Sequence, residues 1–374
     1  MPAGDAGHVA EVHEDLRDLY TADGPFVTAC LAAPSAVEDA AHRWDVSIRH
    51  VCSELEESGA PASQVGRVDR LLRDVGHDAG DQVLVVADSE GVRAAAFGLP
   101  DGTVEPFTRR DELPDLVPVL RWRQEMVPHL VVLTDRVGAD VFAVGPGRED
   151  IHEEHVDGET LHIHRGHPGG WSQRRFQQRA ENTWEDNARA VADLIERLDR
   201  EVVPAVVVVA GDVRASAFMA KHLPDSTAAK LVEVPGGRHE GTDDEAVWTE
   251  VRAVVSVAAE RATAEVLDRF RAEVGQHDRA AESRDAVLAA LSAGQVEVLI
   301  VHHDAHDERR AWFGRDKPVA SAESDSLAAT GAEPHEGRLV DVAVRGALMT
   351  GADICVAPAG GGPTDGLGAV LRWA

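Results

Sequence analysis

Apolar residues recur along the chain at two spacings, and each spacing names an element. Short apolar runs at Phe26–Leu31, Gln82–Ala87 and Val92–Phe97 predict strands, whereas three-and-four spacing over Val9–Tyr20 and Val37–Glu57 predicts helices. The Pro-rich stretch Leu113–Pro128, with Pro114, Pro118 and Pro128, predicts a domain boundary. Beyond it, Leu130–Thr134 and Asp140–Val144 flank the turn Asp135–Ala139, a predicted β-hairpin with Gly138 at the tight position. Residues Gly145–Gly158 are polar and rich in His and Glu. Thr160–His164 is the next predicted strand and ends at a Gly-Gly loop.

A long amphipathic helix should follow, because Phe176, Ala180, Trp184, Ala188, Val191, Ile195 and Leu198 fall on one stripe. Ser172 is its predicted N-cap. Ala205–Ala210 predicts a buried strand, and Asp243–Val274 a long helix after the Pro235-Gly236-Gly237 break. The last part alternates: helix Ser283–Ala293 stopped by Gly294, strand Val296–Val301, helix Arg338–Thr350 stopped by Gly351, and strand Asp353–Val356. That alternation predicts a compact α/β sandwich. The fold class is therefore α/β in three domains, residues 1–128, 129–275 and 276–374. The boundary at Gln276 is polar, so removing everything after it is expected to leave a soluble two-domain fragment.

Charge changes this picture at one place. The 374 residues hold 66 Asp and Glu against 37 Lys and Arg, a formal charge of −29, which excludes a protein that coats nucleic acid over its whole surface. Yet Leu161–Ala180 has no acid at all, and carries Arg165, Arg174, Arg175 and Arg179 with His162, His164 and His167. Arginines in a first helical turn work against the helix dipole, and here they point to contact with a polyanion. The adjacent glycines Gly169 and Gly170 open backbone angles closed to other residues, which lets the chain approach a ligand closely. An ordinary flexible turn before a helix would look the same.

Other candidates carry less. His152, His155, His162, His164 and His167 include a His-x-His pair of suitable spacing for zinc, but there is no clear fourth ligand and a polar hairpin is the preferred reading. No metal and no cofactor is expected. Gly360-Gly361-Gly362 lacks the strand and helix context of a dinucleotide loop. His302-His303-Asp304 reads as a strand end. Cys30, Cys52 and Cys355 are dispersed and odd in number, against a disulfide framework. The N-terminus has no apolar signal-peptide core and the apolar runs are too short for a bilayer, so a soluble, cytoplasmic protein is expected.

Gly169-Gly170-Trp171-Ser172-Gln173-Arg174-Arg175-Phe176 resembles the Gly-Gly-Gln-Ser-x-x-Arg-Phe signature of archaeal and eukaryotic class I release factors, with Gly169, Gly170, Ser172, Arg175 and Phe176 matching in position. Gly294–Ile300 and Gly368–Trp373 are similar to a strand and to the closing segment of release-factor and Pelota C-terminal domains. On these three motifs the chain resembles the bacterial archaeo-eukaryotic release-factor-like family, in its actinobacterial branch related to the hibernation factor Balon. The resemblance implies an α/β N-terminal domain, an RNase H-like central domain and an L7Ae-like C-terminal domain. It also implies binding in the ribosomal A site, with the central loop towards the peptidyl-transferase centre and the C-terminal domain open to elongation factor Tu or another translational GTPase. The departure is Trp171, where release factors have the glutamine that places hydrolytic water. An indole offers one N–H donor and cannot position water as an amide does, though it can stack on a base. A second register, Gly170-Trp171-Ser172-Gln173, fits the Gly-x-x-Gln loop of Vms-type peptidyl-tRNA hydrolases and would make Gln173 catalytic. The candidate RNA-contact residues are Arg165, Gly169, Gly170, Trp171, Ser172, Arg174, Arg175 and Arg179. Three functions stay open: an A-site factor of idle or stalled ribosomes without chemistry, a rescue hydrolase acting through Gln173, and a binding protein unrelated to translation.

Overall fold

A computed structural model describes residues 16–33, 40–75, 82–89, 94–99, 105–135, 138–145, 151–157, 170–211, 213–237, 244–276, 278–302, 304 and 306–373, with backbone alone at 21, 75, 151, 157, 170–184 and 244. The chain divides into two compact units, Met1–Trp122 with Thr263–Ala374, and Arg123–Ala262.

The first unit opens with α1 (Leu16–Thr21), β1 (Phe26–Ala32), α2 (Ala40–Glu57), α3 (Ala62–Val75), β2 (Gln82–Ala87), β3 (Ala94–Leu99), β4 (Phe107–Asp111) and α4 (Val117–Glu125). The strands pair antiparallel in the order β3-β2-β1-β4. Successive side chains of a strand alternate between faces. Val27, Ala29, Val83 and Val85 meet Ile48, Leu55 and Leu72 of α2 and α3 on one side, while Phe26, Cys30, Leu84 and Val86 enter a second core. Both faces are covered, which is why these strands read as continuous apolar runs. The Pro-rich stretch is packed rather than open: Leu113, Leu116, Val117 and Val119 are buried. Pro118 lies in the first turn of α4, where no helical hydrogen bond needs its missing N–H.

The second unit contains β5 (His129–Thr134), β6 (Gly138–Val144), β7 (Ile151–Asp157), α5 (Gly170–Val202), β8 (Val206–Gly211), α6 (Val213–His222), α7 (Asp225–Ala228), β9 (Leu231–Val234) and the start of α8 (Asp244–Gln276). The expected hairpin is present, with Leu130 opposite Ala143 and Val132 opposite Val141. The polar stretch after it holds a strand of its own, β7, because every residue from Ile151 to Asp157 finds a partner on β6. The sheet order is β7-β6-β5-β8-β9, three antiparallel strands followed by two parallel to β5. Helices α5 and α6 cover one face and Val247, Val251 and Val255 of α8 the other, the layout expected of an RNase H-like domain. The strand predicted at Thr160–His164 lies outside the described residues.

The first unit resumes with the end of α8, then β10 (Ala280–Ala281), α9 (Arg284–Ser292), β11 (Val296–His302), β12 (Arg310–Phe313), β13 (Ala320–Ser321), α10 (Ser324–Ala328), β14 (His335–Arg338), α11 (Leu339–Thr350), β15 (Asp353–Ala357) and β16 (Leu367–Leu371). The sheet β10-β16-β11-β15 joins a parallel β11–β15 pair to an antiparallel β11–β16 pair. Leu267 and Phe270 of α8 pack on one face against Ile300 and Val370, and α9 and α11 pack on the other. This is the expected α/β sandwich. Ser283 caps α9 by accepting from the Ala286 N–H, and Gly351 ends α11 with φ 65°, a left-handed angle that favours glycine. A second sheet, β13-β12-β14, was not visible in the apolar pattern.

The N- and C-terminal segments of this unit share one core, in which Tyr20, Phe26 and Leu113 lie among the same buried residues as Phe313, Leu339 and Val344. Arg17 donates to the Met349 carbonyl at 2.9 Å, adding a polar tie between α1 and α11. Cutting at Gln276 would expose half of that core, which argues against a soluble fragment. Among the described residues, no helix is long and apolar enough to cross a membrane.

Candidate nucleic-acid interface

The candidate interface is the start of α5, and the rest of that helix fixes its register. Ala188, Val191, Ile195 and Leu198 are buried against Leu130, Val141 and Val207 of the sheet. Below them Arg197 donates to Glu154 of β7, a hydrogen bond that holds the Glu154 carboxyl below the usual carboxylate range. Thr227 Oγ1 and Lys230 Nζ bond Asp199 at 2.9 and 2.7 Å and fasten the far end of the helix. On β7, His155 pairs with Asp140 of β6 and His152 with Glu154 at 2.8 Å. Both histidines are therefore engaged with acids, and no group suited to a metal occurs among the described residues. His162, His164 and His167 lie outside them.

Helix α5 begins at Gly170, three residues earlier than a cap at Ser172 predicts. Ser172 is thus inside the first turn and is not the N-cap, and Trp171 belongs to the same turn. The reason is local: nothing from Trp171 to Phe176 opposes helical backbone geometry. The first turn holds no acid. The positive end of the helix dipole is therefore left without an intrahelical counter-charge, the arrangement that receives phosphate at other helix starts.

An α-helix turns about 100° per residue. Counted back along the helix backbone from the centre of the buried Ala188–Leu198 stripe, Gln173 falls at roughly 20°, Ala180 at roughly 40° and Phe176 at roughly 80°. Trp171, Arg175 and Arg179 fall roughly 140–180° from that centre, and Arg174 about 80° away on the flank. The helix backbone thus brings Trp171, Arg175 and Arg179 to one side and sets Gln173 on the other. Arg165 and Gly169 lie outside the described residues.

One feature of the second unit has almost no signature in the sequence. The ends of β5 and β8 approach so closely that a Cβ on Gly211 would lie 2.1 Å from the Thr134 carbonyl oxygen, so only glycine fits. Beside this contact a small cavity is lined by Thr134, Asp135, Asn187, Arg214 and Phe218. The only signal in the chain is the glycine closing an otherwise β-branched run.

Residues 128–276 match the family model of Bacterial archaeo-eukaryotic release factor family 2. The family resembled by the Gly-Gly motif is the family found over this segment. Over 368 residues, 96% of each chain, the protein is 27% identical to Uncharacterized protein Rv2629 of Mycobacterium tuberculosis. Its fold aligns with the archaeal translation termination factor aRF1 at 15% identity over 96% of each chain, with a TM-score of 0.26. It aligns with Pelota of Archaeoglobus fulgidus at 16% identity over 78% of this chain and 80% of that one, with a TM-score of 0.34. Superpositions this loose carry no functional argument.

Proposed function

We propose, from the release-factor family match over residues 128–276, that the protein is a ribosome-associated translation factor which enters the A site of idle or stalled ribosomes and performs no peptidyl-tRNA hydrolysis. The observation that carries this reading is the register of α5. An acid-free helix start with Trp171, Arg175 and Arg179 on one side suits RNA, the arginines meeting phosphates and the indole stacking on an unpaired base. Hydrolysis would need the Gln173 amide held at the ester carbonyl of peptidyl-tRNA, with backbone N–H groups nearby for the developing charge. A position on the opposite side of the helix backbone from Trp171, Arg175 and Arg179 is poorly placed for that. The hydrolase is therefore the second reading, favoured only by the Gly170–Gln173 spacing. On the same reading the C-terminal sandwich within residues 276–374 is the contact for elongation factor Tu or a related GTPase, in the cytoplasm.

Co-sedimentation with 70S ribosomes at low and high salt tests the proposal. Binding that falls steeply with salt, and falls further when Arg174 and Arg175 are reversed in charge, is expected. Salt-independent binding that ignores both arginines would remove RNA as the ligand of this helix start. Turnover of peptidyl-tRNA on programmed ribosomes, abolished by Gln173→Ala, would make the second reading the right one.

A further inference from the structure

Four polar side chains are buried together where the N- and C-terminal segments of the first unit share their core. Tyr20 belongs to α1, Asp115 follows β4, and Arg338 and Asp341 open α11; none is more than 1% exposed. Arg338 donates through Nη1 to Asp115 Oδ2, and Arg109 Nε of β4 lies 3.5 Å from that same oxygen. Asp341 receives far less. Its Oδ2 is 3.5 Å from Arg338 Nε, but neither of its oxygens has a hydrogen-bond partner.

The other charges around Asp341 do not make up the difference. Asp111 of β4 adds negative charge, and its carboxylate is engaged by Arg310 of β12 at 2.5 and 3.1 Å. Arg345, one turn further along α11, donates to the carbonyls of Tyr20, Lys317 and Arg315. Two carboxylates thus share one fully buried guanidinium, and Asp115 has the hydrogen bond. The start of α11 favours negative charge, yet an ionised carboxylate without hydrogen bonds in an apolar core is costly enough that such groups take up a proton instead.

We propose that Asp341 is held as the neutral acid in the folded protein, which makes the joint between residues 16–122 and 263–373 a proton-dependent lock. Burial pushes the Asp341 carboxyl well above its ordinary range; Arg338 and, least, Arg109 oppose the effect, while Asp115 and Asp111 add to it. The sign follows from proton linkage. A carboxyl whose affinity for protons is raised by folding contributes stability in full below the ordinary carboxylate pKa, and that stability is lost as pH rises through the folded value. The joint is tightest in acid and loosens towards alkaline pH.

Amide exchange of α1 and α11 in the full-length protein, corrected for intrinsic rates, tests this from about pH 5 to about pH 8. In the wild type, protection should fall with rising pH, by up to about tenfold per pH unit, the limit for one proton. Asp341→Asn, neutral and of the same shape, should retain the fold, lose the pH dependence and equal or exceed wild-type protection at the alkaline end. Asp115→Asn should reduce protection at every pH, because Arg338 is then deprived of its charged acceptor. Infrared difference spectra between wild type and Asp341→Asn at neutral pH should contain one protonated-carboxyl band from the wild type. An Asp341→Asn protein that fails to fold, one that keeps the pH dependence, or an absent band would each overturn the proposal.

Discussion

Two helix starts in this protein use the same residue types to opposite ends. Helix α11 opens with Arg338 and carries Asp341 in its first turn, both without solvent exposure, and Arg338 is answered by Asp115 from the other segment of the unit. Helix α5 opens with no acid in its first turn and with Arg174 and Arg175 just behind. An arginine matched by carboxylates inside a core holds the fold together. On the function proposed above, arginines kept apart from every acid in their own segment would serve an external anion. On that reading the acidic complement, more than the arginine itself, separates a structural helix start from a binding one.

Removing residues 276–374 is the harshest way to break the comparison. It strips Tyr20, Phe26 and Leu113 of Phe313, Leu339 and Val344, and we expect aggregation or loss of the N-terminal sheet by gel filtration and circular dichroism. A monomeric, folded fragment would show that the shared core is dispensable. Arg338→Met should cost about 3–5 kcal/mol in urea unfolding, because it leaves buried carboxylate charge without its main partner. Ribosome binding per folded molecule should be unchanged.

At the other helix start the effects should be on binding. Arg174→Glu with Arg175→Glu should alter unfolding free energy by less than about 0.5 kcal/mol. The same pair should weaken ribosome co-sedimentation and lower its salt slope by about 1 for each phosphate the arginines no longer neutralise. A large stability change there would mean that these arginines are structural, as Arg338 is. Trp171→Ala should cost about 1–3 kcal/mol of ribosome affinity if the indole stacks on a base. Gln173→Ala should be the mildest change, with no peptidyl-tRNA hydrolysis in either protein.

How much of this was legible depends on how local each signal is. The β5–β6 hairpin, the stripe on α5, the cap at Ser283 and the stop at Gly351 depend on residues within a few positions of one another, so the sequence alone determines them. The acid-free window Leu161–Ala180 is likewise a property of the chain. Other features have no local signature. The polar β7 is a strand because β6 offers it a hydrogen-bonding edge, and β12 because β13 and β14 flank it, since strand preference is set largely by neighbours. Burial of Arg338 and Asp341 depends on Asp115, 223 residues from Arg338. The separation of Trp171 from Gln173 required knowing that the helix starts at Gly170 and which of its positions reach the core. Backbone periodicity is encoded between near neighbours, whereas the environment of a charge is made by whatever distant segment folds against it, and only the tertiary structure decides that.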